Sequence, residues 1–132
     1  MNFPDLSKPN VFIGADHRGH YLRMVVIQLL EHSSYPWIDI GNKEFDEGDD
    51  YPDFAEPVAQ SVVIRAQGLG ILICGTGHGM AISANKIPGI RAVVCDNPDE
   101  ARIARLHNHA NVLCLPANSV NEELVVPIVL EF

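Results

Sequence analysis

The fold is decided by one stretch, Gly70-Ile71-Leu72-Ile73-Cys74-Gly75-Thr76-Gly77-His78-Gly79. Its first half is a short apolar run, the pattern of a buried strand. The run stops at a thiol, and three glycines follow within five residues. Residues 80–86 can continue as a helix. A strand, a glycine loop and a helix in that order aim backbone N–H groups at an anion beside the helix start. Cys74 at the lip of the loop adds an acid, a base or a nucleophile.

Upstream, Val11–Ala15 reads as a buried strand that ends in the polar cluster Asp16-His17-Arg18-Gly19-His20. Leu22, Val25, Val26, Leu29 and Leu30 recur at helical spacing and predict an amphipathic helix to about His32. Ser33-Ser34-Tyr35-Pro36 breaks it, and residues 37–40 give a second strand. Residues 42–53 carry Glu44, Asp46, Glu47, Asp49, Asp50 and Asp53. They read as a solvated loop, because the ligand order of a calcium loop is absent. Phe54, Ala55, Val58, Ala59, Val62 and Val63 mark a second helix, with Asp53 a plausible N-cap and Pro57 in its first turn or so.

Downstream of the central stretch, Pro88-Gly89 turns the chain and residues 90–95 form a strand. Asp96-Asn97-Pro98 caps a helix running to about His107, and residues 111–115 form the fifth strand. A last helix opens at Asn121, and Pro127 is expected to strain it after little more than one turn. Residues 1–9 read as an N-terminal arm of a single domain spanning 1–132. Five strands alternating with helices predict parallel β-α-β units in a doubly wound α/β sheet, with helices on both faces. Ligands bind such sheets beyond the strand C-terminal ends. Asp16 and His17 follow strand one and Cys74 ends strand three. His107, just before strand five, is expected near the same edge.

The chain has 132 residues and a formal net charge of −8. That balance disfavours nucleic acid, whose binding rests on phosphate neutralisation. It also requires any anionic ligand to be held by a local positive site against the overall field. No apolar run is long enough to span a bilayer, and the first residues lack the pattern of a secretion signal. Cys74, Cys95 and Cys114 are odd in number and widely spaced, which argues against a disulfide framework or a thiolate zinc site. A cytoplasmic protein without membrane or nucleic-acid partners is expected.

Known glycine-loop chemistries can be tested one by one. A P-loop needs a lysine where Thr76 stands. The dinucleotide fingerprint needs a third glycine where Met80 stands. A cysteine phosphatase needs an arginine at that same Met80 to clasp phosphate. His17 with His20, and His107 with His109, lack the further ligands of a zinc site. What survives is chemistry in which negative charge develops on a substrate oxygen beside Cys74, stabilised by loop N–H groups. Positive dipoles at a helix start favour thiolates, and a thiolate can take a proton from carbon. An aldose–ketose isomerase needs such a base together with donors for the enediolate. Each residue also has a plain reading. Strand-end cysteines are commonly buried filler, as expected of Cys95 and Cys114. Thr76 can merely close a turn, Asp16-His17 can merely cap one, and His107-Asn108 can merely end a helix.

Together these pieces resemble the ribose-5-phosphate isomerase B family, which includes the galactose-6-phosphate isomerase subunits. The matching segments are Gly14-Ala15-Asp16-His17-Arg18-Gly19, Asp50-Tyr51-Pro52, residues 73–79, Ala84-Asn85-Lys86, Gly89-Ile90-Arg91-Ala92, and His107-Asn108 with Asn111-Val112-Leu113. They run in family order over roughly four fifths of the chain. The resemblance implies a Rossmann-like three-layer α/β/α sandwich with a five-stranded parallel sheet. It further implies a homodimer or homotetramer with shared active sites, and no metal or organic cofactor. By the same resemblance, Cys74 is the base that moves a proton between C1 and C2. Residues 75–79, including Gly75, Gly77, His78 and Gly79, form the anion hole. Thr76 and His107 assist ring opening, with His107 and Asn108 donated by the neighbouring subunit. Asp16 binds sugar hydroxyls, His17 lies towards the phosphate, and Tyr51 lines the pocket. Some members place a glutamate base later in the loop; Met80 occupies that position here, so the sequence sorts with the cysteine type.

The sequence also departs from that family. Members carry an arginine shortly after strand five, whereas this turn reads Leu115-Pro116-Ala117-Asn118-Ser119 with Asn118 at the arginine position. The C-terminal segment that brings further arginines to the phosphate is expected to be absent, because the sequence stops at Phe132. Arg18, Arg91, Arg102 and Arg105 are cations that no motif places. The expected reaction interconverts ribose 5-phosphate and ribulose 5-phosphate through an enediolate. The alternative is a catalytically impaired or substrate-shifted paralogue that binds another sugar or a small anion.

Overall fold

A computed structural model of the chain describes residues 10–41, 46–65 and 67–132; the expected arm at 1–9 lies outside them. β3 (Leu69–Cys74) carries no charged side chain, so both of its faces must be covered. Ile71 and Ile73 enter one core, while Leu72 and Cys74 enter the other. β3 is the middle strand of five, all parallel, in the order β2-β1-β3-β5-β4. The others are β1 (Val11–Ala15), β2 (Trp37–Asp39), β4 (Ala92–Val94) and β5 (Val112–Pro116). Helices α1 (His20–Glu31), α4 (Pro98–Asn108) and α5 (Glu122–Glu131) cover one face, and α2 (Pro52–Ile64) and α3 (His78–Asn85) cover the other. This is the Rossmann-like three-layer α/β/α architecture that the sequence predicts.

The strand order places the site. From β1 the chain steps outward to β2 on one side and to β3 on the other, so connections diverge between β1 and β3. That divergence opens a crevice at the strand C-terminal ends. Ala15 pairs with Ile73, so Asp16 and Cys74 emerge level with one another on adjacent strands. The Asp16 N–H donates to the Ile73 carbonyl at 3.2 Å and locks that level.

Three local expectations need correction. α2 begins at Pro52 with Tyr51 as its N-cap, and Asp53 sits inside the first turn, where its Oδ2 accepts the Asp50 N–H at 3.1 Å. Proline at the first helical position fixes the start, since its missing N–H would be unpaired there anyway. Pro57 therefore lies deeper in α2 than its first turn, and α5 likewise runs on through Pro127. Each proline forfeits one backbone bond, and burial of flanking residues offsets that loss: Ala55, Val58 and Ala59 in α2, Val125 and Ile128 in α5. Arg23, on the inner face of α1, is 1 % exposed and donates through Nη1 to both Asp39 oxygens at 2.7 and 2.6 Å, tying α1 to β2.

Candidate active site

Cys74 is the last residue of β3 and is 4 % exposed. Its carbonyl and that of Gly75 accept the N–H groups of Ala117 and Asn118, both at 2.9 Å. The turn after β5 is thereby pinned against the glycine loop. Gly77 adopts φ +79°, ψ −18°, a left-handed conformation that glycine takes without a Cβ penalty. This turn brings the Gly77 N–H back to the Cys74 Sγ at 3.2 Å. The His78 N–H is taken by the Thr76 Oγ1 at 3.2 Å. Thr76 thus does close a turn, as its plain reading holds, and it stands exposed at the loop tip. The N–H groups of Gly75, Thr76, Gly79 and Met80 make no hydrogen bond among the described residues. The loop therefore presents a buried sulfur beside several unspent donors, the composition of an oxyanion hole.

The other two cysteines differ in environment. Burial, with the nearby Glu100 and Asp96 carboxylates, pushes the Cys95 thiol up to about 11. Cys114 is fully buried on β5, and desolvation drives its thiol higher still. Both stay protonated and serve as packing.

Around the crevice, Asp16 caps the single 3-10 turn at His17–Gly19, its Oδ1 accepting the N–H groups of Arg18 at 3.0 Å and Gly19 at 3.2 Å. Burial raises its pKa, and those two N–H groups oppose the rise. His17 meets Asp49, whose Oδ1 accepts the His17 backbone N–H at 2.7 Å and lies 3.1 Å from Nδ1. That contact holds the imidazole above its ordinary pKa. Asp49 is therefore no solvated loop residue: its side chain is 7 % exposed. No periodicity could have singled it out of the acidic run, because its role depends on a contact 32 residues away. Tyr51 packs on Gly79 so closely that a Cβ there would come within 2.9 Å of three ring carbons. Asp16, His17, Tyr51, Thr76, His78 and residues 75–79 thus gather at one crevice with Cys74.

His107 and Asn108 do not join them within one chain. They end α4 just before β5, whose first residue Val112 pairs with Gly70 at the start of β3. The expectation that His107 shares an edge with Cys74 fails, since α4 returns the chain to the strand N-terminal edge. With about 3.3 Å per strand residue, the two edges are about 15 Å apart. Both residues are exposed there. Arg91 secures their turn, its Nε donating to the Asn108 carbonyl at 2.6 Å and its N–H to the Asn111 Oδ1 at 2.8 Å. His109 closes the helix in a left-handed conformation, φ 52°.

Two further residues that the sequence left without a role stand beside the same loop. Arg18 and Asn118 converge over Gly75: a Cβ on that glycine would lie 3.0 Å from Arg18 Cδ, 3.2 Å from its Nη1 and 3.2 Å from Asn118 Nδ2. A groove of about 520 Å³, lined by Arg65, Gln67, Arg105 and Asn111 among others, lies at the opposite edge. Among the described residues, no group of three or more His, Cys, Asp or Glu could hold a metal ion. None of their helices is long and apolar enough to cross a membrane.

The family described as Ribose/Galactose Isomerase matches residues 11–132. A probable ribose-5-phosphate isomerase B of Mycoplasma pneumoniae is 44 % identical over 132 residues, covering 100 % of this chain and 83 % of the relative. The ribose-5-phosphate isomerase B of Escherichia coli is 42 % identical, covering 90 % of this chain and 79 % of the relative. The crystal structure of ribose-5-phosphate isomerase B from Mycoplasma genitalium with bound ribulose-5-phosphate superposes with a TM-score of 0.89 at 41 % identity. It covers 93 % of this chain and 82 % of the other.

Proposed function

We propose a reaction for this chain on the premise that it belongs to the ribose/galactose isomerase family and is a sugar-phosphate isomerase. The reaction is the interconversion of ribose 5-phosphate and ribulose 5-phosphate. Cys74, as thiolate, removes the C2 proton of the open-chain aldose, and the electron pair moves through the new C1–C2 double bond onto the C1 oxygen. Backbone N–H groups of the loop hold that developing charge, a placement that favours the transition state over the ground state. The sulfur then returns the proton to C1. The C2 hydroxyl proton passes to the C1 oxygen, which completes the ketose. Asp16 holds sugar hydroxyls, His17 faces the phosphate, and Tyr51 bounds the pocket. Thr76 and His107 assist opening of the furanose ring.

The observation that supports this reading best is the Cys74 sulfur, which accepts the Gly77 N–H at 3.2 Å beside loop N–H groups with no other bond. Isomerisation requires only that a proton move between adjacent carbons, so the sulfur serves as a base rather than as a nucleophile. The edge-to-edge separation of Cys74 and His107 supports a homodimer, or a larger homo-oligomer, in which His107 and Asn108 of one copy complete the crevice of another. The test is an isomerase assay on ribose 5-phosphate, other aldose phosphates and free aldoses. Wild-type protein turns over ribose 5-phosphate, while Cys74→Ala keeps its circular dichroism and loses at least a thousandfold in kcat. Full activity in Cys74→Ala would remove the cysteine from the mechanism. Asn118 at the family's arginine position favours one second reading, a shift towards less phosphorylated sugars; comparable turnover of a free aldose would support it.

A further inference from the structure

We propose that Arg18 is the phosphate-gripping cation of this site, with the Asn118 amide as its companion; this rests on the isomerase reading above. A phosphate monoester approaching a chain of net charge −8 needs a local cation. The arginines of the described residues can be sorted by position and engagement. Arg23 is buried against Asp39. Arg91 and Arg105 donate to the Asn108 and Ala110 carbonyls at the strand N-terminal edge, and Arg65 lines the groove at that edge. Arg102 lies on the exposed face of α4, 3.7 Å from Asp99.

Arg18 alone among them stands at the catalytic loop. Its side chain makes no hydrogen bond or ion pair with any described residue, and the same holds for the Asn118 side chain. Each is held in place from behind. The Arg18 backbone N–H is fixed by Asp16 and the Asn118 N–H by the Gly75 carbonyl. Two exposed donor groups, from the turns after β1 and β5, therefore meet over Gly75, which has no side chain to displace them. A guanidinium presents paired N–H donors that match a phosphate bidentately. The amide NH2 supplies a further donor, and the His17 imidazole beside Asp49 lies on the neighbouring residue. The carboxylates of Asp16 and Asp49 are the opposing charges here. Asp16 is committed to the two backbone N–H groups of its turn and Asp49 to His17, so neither pairs with the guanidinium.

The test measures steady-state kinetics on ribose 5-phosphate, together with calorimetric binding of inorganic phosphate, for wild type, Arg18→Ala, Arg18→Lys and Gly75→Ala. For Arg18→Ala the expected result is a rise of about ten- to a hundredfold in KM, with a matching loss of phosphate affinity and a smaller change in kcat. Arg18→Lys keeps the charge without the fork and falls between. Gly75→Ala keeps both donors but pushes them off the loop, and weakens phosphate in the same direction. Folded Arg18→Ala protein with unchanged KM and phosphate affinity would overturn the proposal, as would a loss confined to kcat. Wild-type protein that binds phosphate through Arg18 yet isomerises nothing would refute the isomerase reading and leave the grip standing.

Discussion

Replacing Gly77 with alanine separates the loop's conformational demand from its chemistry. At φ +79° a Cβ faces the left-handed penalty of about 1–2 kcal/mol. The added carbon would also lie 3.1 Å from Val94 Cγ1, a crowding worth about 0.5 kcal/mol if Val94 gives way. Against this, alanine reduces the freedom of the unfolded chain by about 0.4–1 kcal/mol. The net expectation is a destabilisation of about 0.5–2 kcal/mol, read as a lower urea midpoint with unchanged slope. A matched control exists at Gly89, φ +92°, where a Cβ would lie 3.2 Å from Val63 Cγ1 at the opposite edge of the sheet. Gly89→Ala should lose a similar amount of stability. Only Gly77→Ala should lose about a hundredfold or more in kcat, because the loop that holds the Gly77 N–H on Cys74 and aims the free donors must rearrange. Equal loss of kcat in the two variants, or undiminished stability in Gly77→Ala, would refute the reasoning.

Asp39→Ala should destabilise the fold by about 3–5 kcal/mol in urea titration, because it strands a fully buried Arg23 charge; Asp99→Ala, facing exposed Arg102, should change it by less than about 0.5 kcal/mol. The imidazole of His17 should titrate above its ordinary value of 6.5 in an NMR pH series, and Asp49→Asn should lower that midpoint. Since the folded-state pKa is the raised one, the stabilising His17–Asp49 contact is fully present below pH 6.5 and is lost as pH rises through the folded value. Gln67, held at φ 64°, should gain about 0.5–1 kcal/mol of stability on replacement by glycine, with isomerase kinetics unaltered.

The features legible in the sequence are those that local patterns determine. β3 is readable because a short apolar run flanked by glycines fits a strand covered on both faces, and Asn97 and Asn121 because N-caps are chosen within a few residues of chain. The Cys74 loop was readable because its glycines and its thiol are contiguous. What escaped depends on distant partners. Asp49 takes its buried place only by meeting His17, 32 residues away. Arg18 gains its place only because the turns after β1 and β5 flank the same strand. Arg23 is held in the interior by a partner 16 residues on, Asp39, which supplies its counter-charge. The misplacement of His107 has a geometric origin: a helix that leaves the C-terminal edge must end at the other, so a residue before a parallel strand never shares an edge with one that follows its neighbour.

The most direct test of that geometry is subunit complementation. Cys74→Ala and His107→Ala, each nearly inactive alone, are unfolded together and refolded as a mixture. In the proposed dimer, random pairing makes half the pairs mixed, and each mixed pair restores one of its two shared sites, so about a quarter of wild-type activity should return. A mixture that stays as inactive as its components would contradict the account, and so would a His107→Ala protein with full activity.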